Sequence, residues 1–129
     1  STFTKILSVQ LLSHHDKKSI NELGISQSIK NEIRKLTNNA LKNGVSGLIL
    51  APQDLEIIKK INKNLVVFVP GIRPKNNNKD EHKRSLDHVS AIHKGATYII
   101  VGRPITKSKD PKKSLQLINE DIKSYLENK

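Results

Sequence analysis

Apolar residues along this chain fall into two kinds of segment that alternate. Four short stretches are rich in β-branched and aliphatic side chains: Phe3 to Leu11, with Ile6, Leu7, Val9 and Leu11; Gly47 to Ala51 (GLILA); Leu65 to Val69 (LVVFV); and Tyr98 to Val101 (YIIV). The last three are continuous apolar runs, the pattern of strands buried on both faces, as in parallel sheets. Between them, apolar residues recur at helical spacing. Ile29, Ile33, Leu36 and Ala40 sit at i, i+4, i+7 and i+11, and Gly44 stands where a C-terminal cap belongs. Asp54 to Asn62 carries Leu55, Ile58 and Ile61 on one face. Arg84 to Lys94 carries Leu86, Val89 and Ile92 and closes at Gly95. Asp110-Pro111 opens a last helix with a capping carboxylate and a proline at the first helical position. Leu115, Ile118, Ile122 and Leu126 are expected to form its buried stripe.

Strand then helix, four times over, implies an α/β fold with a parallel sheet and right-handed crossovers. The choice lies between a small open α/β sandwich and part of a (β/α)8 barrel. A whole barrel takes roughly 250 residues and eight such units. Four units in 129 residues make half of one.

Composition narrows the function. With 35% apolar and 27% charged residues the chain is expected to be globular rather than disordered. It has no cysteine, which excludes disulfide frameworks, thiolate zinc sites and thiol nucleophiles. The run from Leu65 to Pro70 is too short to span a bilayer, and no secretory leader opens the chain, so a cytoplasmic location without a membrane partner is the expectation. The net charge of +11 raises the alternative of a basic nucleic-acid binder. However, 19 of the 23 cations are lysines, accompanied by 12 asparagines and 16 isoleucines, a trio that rises together in AT-rich genomes. The lysines are spread along the chain, and the four aromatics Phe3, Phe68, Tyr98 and Tyr125 are too few for a base-stacking platform. Both features argue against nucleic acid.

Two loops stand out by position. Pro70-Gly71-Ile72-Arg73-Pro74 follows the third strand, and Gly102-Arg103-Pro104-Ile105-Thr106 follows the fourth. Ligands of α/β folds sit beyond the carboxyl ends of strands, and the last two loops of barrels commonly hold phosphate. Gly102 lets backbone amides approach an anion, and Arg103 offers a planar fork of donors. A lone Gly-Arg is more often a turn with a solvated cation. Here two of only four arginines occupy adjacent strand ends in a chain that otherwise uses lysine, which points to a need for the guanidinium fork. Pro74 to His82 (PKNNNKDEH) is a long polar connector, equally readable as a lid or as a plain loop. The histidines 14, 15, 82, 88 and 93 lack the spacing of a metal site, and His88 and His93 are expected on a partly exposed helix face. No P-loop, G-x-G-x-x-G or G-x-S-x-G element is present.

VPGIRP at 69–74, an acidic and polar stretch before basic residues at 81–84, and GATYIIVGRPIT at 95–106 together resemble bacterial orotidine 5'-monophosphate decarboxylase. GVSGLILAPQD at 44–54 resembles that family's sixth strand and following turn, and SVQLLSHHD at 8–16 its fifth strand. The resemblance spans about residues 4 to 126 and implies the C-terminal half of a (β/α)8 barrel, strands five to eight, with residues 1–129 forming one half-barrel unit. It also implies a homodimeric enzyme that converts orotidine monophosphate (OMP) to uridine monophosphate (UMP) and carbon dioxide without metal or organic cofactor. By the same resemblance Arg73, Gly102 and Arg103 bind the substrate phosphate region, Pro70 lines the base pocket, and Ser13 hydrogen-bonds the pyrimidine.

Departures from the family pattern are as informative. The family's substrate-binding glutamine falls on His82, and its Leu-Thr-Ser strand end becomes Leu11-Leu12-Ser13 or Leu12-Ser13-His14. The Asp-Lys-Asp cluster of the family belongs to the N-terminal half, and no D-x-K-x-x-D occurs in the 129 residues. The chain is therefore expected to bind substrate and phosphate, to be inactive alone, and to need a complementary N-terminal half-barrel or self-association. A non-catalytic remnant, or a stand-alone phosphate-binding module, is the competing expectation.

Overall fold

In the computed structural model, which describes residues 4–74 and 86–129, four strands pair in parallel in the order in which they occur along the chain. They are β1 (Leu7–Val9), β2 (Gly47–Ile49), β3 (Val67–Val69) and β4 (Tyr98–Ile99). Among the described residues the helices are α1 (Lys17–Glu22), α2 (Ile29–Lys42), α3 (Leu55–Ile61), α4 (His88–His93), α5 (Arg103–Thr106) and α6 (Pro111–Glu127), with a 3-10 turn at Pro52–Asp54. A doubly wound sandwich reverses its strand order part-way, because its helices must cover both faces. Here each new strand is added on the same side, so right-handed crossovers leave the helices on one face. That order is the order of a barrel wall, and it decides between the two architectures left open by the sequence.

Burial follows the pleat. Leu48 pairs with Val67, and with Leu50 and Val69 they are fully buried beneath the helices, where they join Ile20, Ile33, Leu55, Ile58 and Ile72 in the core. Each such side chain contributes about 1.5–3 kcal/mol by leaving water. The other face carries a row in register across the whole sheet: Val9 opposite Ile49, Ile49 opposite Phe68, and Phe68 opposite Tyr98. Val9 is 57% and Tyr98 54% exposed, and the Phe68 and Tyr98 rings stack with centroids 4.6 Å apart.

This corrects the expectation of strands buried on both faces. An apolar run satisfies either kind of burial, and here only one face has helices over it. The regular strands are also shorter than the apolar runs: 67–69 within LVVFV, 98–99 within YIIV, and 7–9 within the first stretch, of which Phe3 lies outside the described residues.

The caps place most helices. The Ser28 hydroxyl accepts from Asn31 N at the start of α2, and the helix ends with Gly44 at φ +74°, as its spacing predicts. Asp110 accepts from Lys113 N at 2.9 Å, and Pro111 begins α6. Two helices were not anticipated. Helix α1 is short but begins with a reciprocal cap, the Asp16 carboxylate accepting from Ser19 N and the Ser19 hydroxyl from Asp16 N. Helix α5 is a single turn made by the GRPIT loop itself. Helix α4 begins at His88, where Asp87 caps it by accepting from Ser90 N, and the expected start at Arg84 lies outside the described residues. The expected stripe of α6 is only partly covered: Ile118 is buried, while Leu115 is 45% and Leu126 53% exposed. His88 is likewise corrected, being buried rather than partly exposed, whereas His93 is exposed.

Candidate functional site

All four strands of a parallel sheet point their carboxyl ends to one edge, so the segments after β1, β2, β3 and β4 share a rim. Ser13 follows β1 and is only 3% exposed. The Pro52–Asp54 turn follows β2, and both of its end residues are buried. After β3 the chain turns at Gly71, whose φ of +76° is a left-handed conformation that side chains resist. A Cβ there would also lie 3.0 Å from the Ser13 hydroxyl and 3.9 Å from Pro52. Glycine is thus demanded twice at 71, and the same contact shows that the ends of β1, β2 and β3 converge.

Beyond Gly71, Ile72 is fully buried and bridges in parallel to Leu86, and Arg73 N donates to Leu86 O at 2.9 Å. The Arg73 guanidinium is half-buried and donates through Nη1 to its neighbour's carbonyl, Ile72 O, at 2.8 Å. On the adjacent strand end, Ile100 N donates to Val69 O at 2.9 Å, which carries the pairing of β3 with β4 past Ile99 to the rim. Gly102 then caps α5, its carbonyl accepting from Ile105 N at 2.9 Å and Thr106 N at 3.0 Å. Arg103, half-buried, is the first residue of that turn, and Pro104 behind it is buried. Among the described residues, no atom lies within 4 Å of where a Cβ on Gly102 would project.

The fold therefore brings Ser13, Pro70, Arg73, Gly102 and Arg103 to one rim, as their positions in the sequence predict. His82 and the rest of the 75–85 connector lie outside the described residues. Guanidinium groups such as those of Arg73 and Arg103 carry planar forks of donors whose geometry matches the oxygens of an anion. The sequence reading missed Asp54 as a member of this rim. Its signal was the LAPQD turn directly after an apolar run, with a proline that starts a helical turn.

Residues 1–118 match the sequence profile of the family described as Orotidine 5'-phosphate decarboxylase / HUMPS. The chain belongs to that family. It is 38% identical over 125 residues to "Orotidine 5'-phosphate decarboxylase" of Wigglesworthia glossinidia brevipalpis, covering 96% of this chain and 52% of the relative. The protein of the same name from Nitrosomonas eutropha is 36% identical over 124 residues, with 95% and 54% covered. The orotidine 5'-phosphate decarboxylase structure from Lactobacillus acidophilus superposes with a TM-score of 0.73 at 27% identity, over 94% of this chain and 50% of that one. The Pyrococcus horikoshii structure, at 22% identity and a TM-score of 0.66, shares the fold. The chain thus spans about half the length of the curated relatives it matches, and its four-stranded sheet is half of a (β/α)8 barrel. Among the described residues, no helix is long and apolar enough to cross a membrane.

Proposed function

We propose that this chain is the C-terminal, substrate-binding half of an orotidine 5'-monophosphate decarboxylase, holding the phosphate and base of OMP or UMP in pyrimidine nucleotide synthesis. The observation that carries the proposal is the placing of PGIRP and GRPIT, with Arg73 and Arg103, at adjacent carboxyl ends of the sheet in a chain of this family. Arg73, Gly102 and Arg103 take the phosphate, Pro70 and Ser13 face the base, and His82 completes the site from the connector. Binding and orientation are what these residues offer. The lysine that protonates the nascent carbanion, and the carboxylates beside it, have no counterpart in a D-x-K-x-x-D motif here, so decarboxylation requires the rest of the barrel. Its source is a complementary N-terminal half; self-association could cover the open sheet face but brings no such motif either. The cytoplasmic location and the homodimer implied by the resemblance belong to this same reading.

A stand-alone phosphate-binding module is disfavoured by the open sheet face. An independent module has no use for a row of uncovered apolar residues from Val9 to Tyr98.

Arginine 103 tests the proposal. In the barrel completed with an N-terminal half, Arg103→Ala removes a charge-assisted contact and should weaken UMP binding about ten- to 150-fold. Lysine in its place should restore only part, lacking the fork. Lys123 is exposed and 3.7 Å from Glu127 Oε1, so Lys123→Ala should change affinity little. Equal losses from Arg103→Ala and Lys123→Ala at ordinary salt would reduce the site to diffuse positive charge. The chain alone should show no turnover of OMP.

A further inference from the structure

Behind the rim, on the helix side, lies a cleft of about 370 Å³ lined by Pro74, His88, Pro104, Ser114, Leu117, Ile118 and Asp121. Two of these residues directly follow the arginines: Pro74 after Arg73 and Pro104 after Arg103. The loops that present the two guanidinium groups therefore back onto one cleft. Spanning its wall is a hydrogen bond between His88 Nε2 and Asp121 Oδ2 at 2.8 Å. The His88 residue is 5% exposed, and its Nδ1 has no partner among the described residues. A carboxylate only accepts, so Nε2 carries the proton that His88 gives to Asp121.

That bond closes a ring of contacts around the cleft. Arg73 N is tied to Leu86 O, Leu86 leads through the capping residue Asp87 to His88, and His88 is tied to Asp121 on α6. Helix α6 in turn packs along α5, which begins at Arg103. If both arginines serve one anion, as the proposed function has it, the spacing of their two loops matters, and mutual spacing is what such linked contacts can fix. None of this belongs to the rim itself, since His88 and Asp121 lie on the outer side of the wall.

We propose that His88 and Asp121 are positioning residues that set the spacing of the Arg73 and Arg103 loops and so tune the affinity of the half-barrel for a phosphate group. The proposal rests on the reading of those arginines as phosphate ligands. A second link between the same helices provides an internal control. His93 Nδ1 meets Tyr125 Oη at 2.9 Å, one turn further along α6 and away from both loops.

The test is a phosphorus NMR titration of the full 129-residue chain with inorganic phosphate, paired with thermal unfolding of each variant. Asp121→Ala and His88→Phe should each weaken phosphate binding about three- to tenfold, the size expected for one lost hydrogen bond acting through geometry. Asp121→Asn keeps an oxygen that accepts from Nε2 and should recover most of the loss. Tyr125→Phe should lower only the unfolding temperature. In an Arg103→Ala background, Asp121→Ala should cost no further affinity, because the spacing then has only one guanidinium to set. If Arg103→Ala weakens binding while Asp121→Ala changes only the unfolding temperature, the pair is merely structural and the positioning role is overturned. If Arg103→Ala itself leaves phosphate affinity unchanged, the phosphate site fails, and this proposal fails with it. Because Asp121 is exposed, its substitutions leave the packing intact even where His88→Phe does not.

Discussion

On the helix-facing side of the sheet, Leu48, Leu50, Val67 and Val69 have no exposed surface; on the other side, Val9 and Tyr98 are more than half exposed, with Ile49 and Phe68 partly covered between them. The residue types are interchangeable between the two faces. What differs is who provides the cover. Three crossovers in one direction put the helices on the first side, and the second waits for strands that this chain does not contribute. The flank of α6 tells the same story one layer out. Leu115 and Leu126 lie on the stripe that includes buried Ile118, yet they remain exposed, as expected where a neighbouring helix of a closed barrel would pack. An apolar pattern thus records the burial of the completed assembly, and burial in the chain by itself records only its own share.

The sharpest way to break the comparison is to mutate both faces. Leu50→Ala opens a cavity in the covered layer and should cost about 2–5 kcal/mol of unfolding free energy, read by denaturant titration. Val9→Ser on the open face should cost less than about 1 kcal/mol in the isolated chain. The order should reverse for association. In sedimentation experiments with a complementary half, or with the chain's own copies, Val9→Ser should weaken pairing more than its folding cost explains. Comparable folding costs from the two variants would mean that the open face is already covered in solution.

A second prediction concerns the rim, where the two faces meet. Gly71→Ala puts a side chain at φ +76°, which costs about 1–2 kcal/mol, and sets its Cβ against the Ser13 hydroxyl 3.0 Å away. Unfolding should therefore become easier, and UMP binding in the completed barrel should weaken as Ser13 is displaced. Adding Ser13→Ala should relieve the contact but not the backbone strain, recovering part of the loss. Full recovery would assign the whole effect to crowding, and none would assign it to the backbone.

How much of this was legible in the sequence depends on how local each signal is. The α/β alternation, the caps at Gly44 and Asp110, and the two Gly/Arg loops are encoded within a few neighbouring residues, and each was readable. The one-sided cover was not, since LVVFV reads alike whether one face or both are buried, and only the strand order reveals which. His88 was misplaced for a similar reason. Its burial comes from α6, which packs on α4 and carries its partner Asp121 33 residues away, and no periodicity within Arg84 to Lys94 reports that neighbour. Asp87 marks the true start of α4 as its capping carboxylate, a signal that the apolar spacing of Leu86, Val89 and Ile92 does not carry.

The smallest expected effect is electrostatic and belongs to the covered side. Lys59 on α3 donates to Leu65 O at 3.0 Å and Lys63 O at 3.2 Å, which draws its stem down against the protein. Desolvation by burial lowers its pKa below the ordinary lysine value of 10.5. At neutral pH the amine is protonated in both the folded and unfolded chains, and the folded one bears the cost of burying a charge. As pH rises through the lowered folded value, the folded chain releases its proton while the unfolded chain keeps one until near 10.5. More protons on the unfolded state mean stability that climbs with pH across that interval. Lys59→Met removes the charge and keeps most of the stem. The stability of the natural chain relative to this variant should therefore rise between neutral pH and the ordinary lysine value, with other titrations cancelling in the difference. A difference that stays flat would mean the amine is as well hydrated as in the unfolded chain. One that falls would mean that the two carbonyls favour the charged form by more than burial disfavours it.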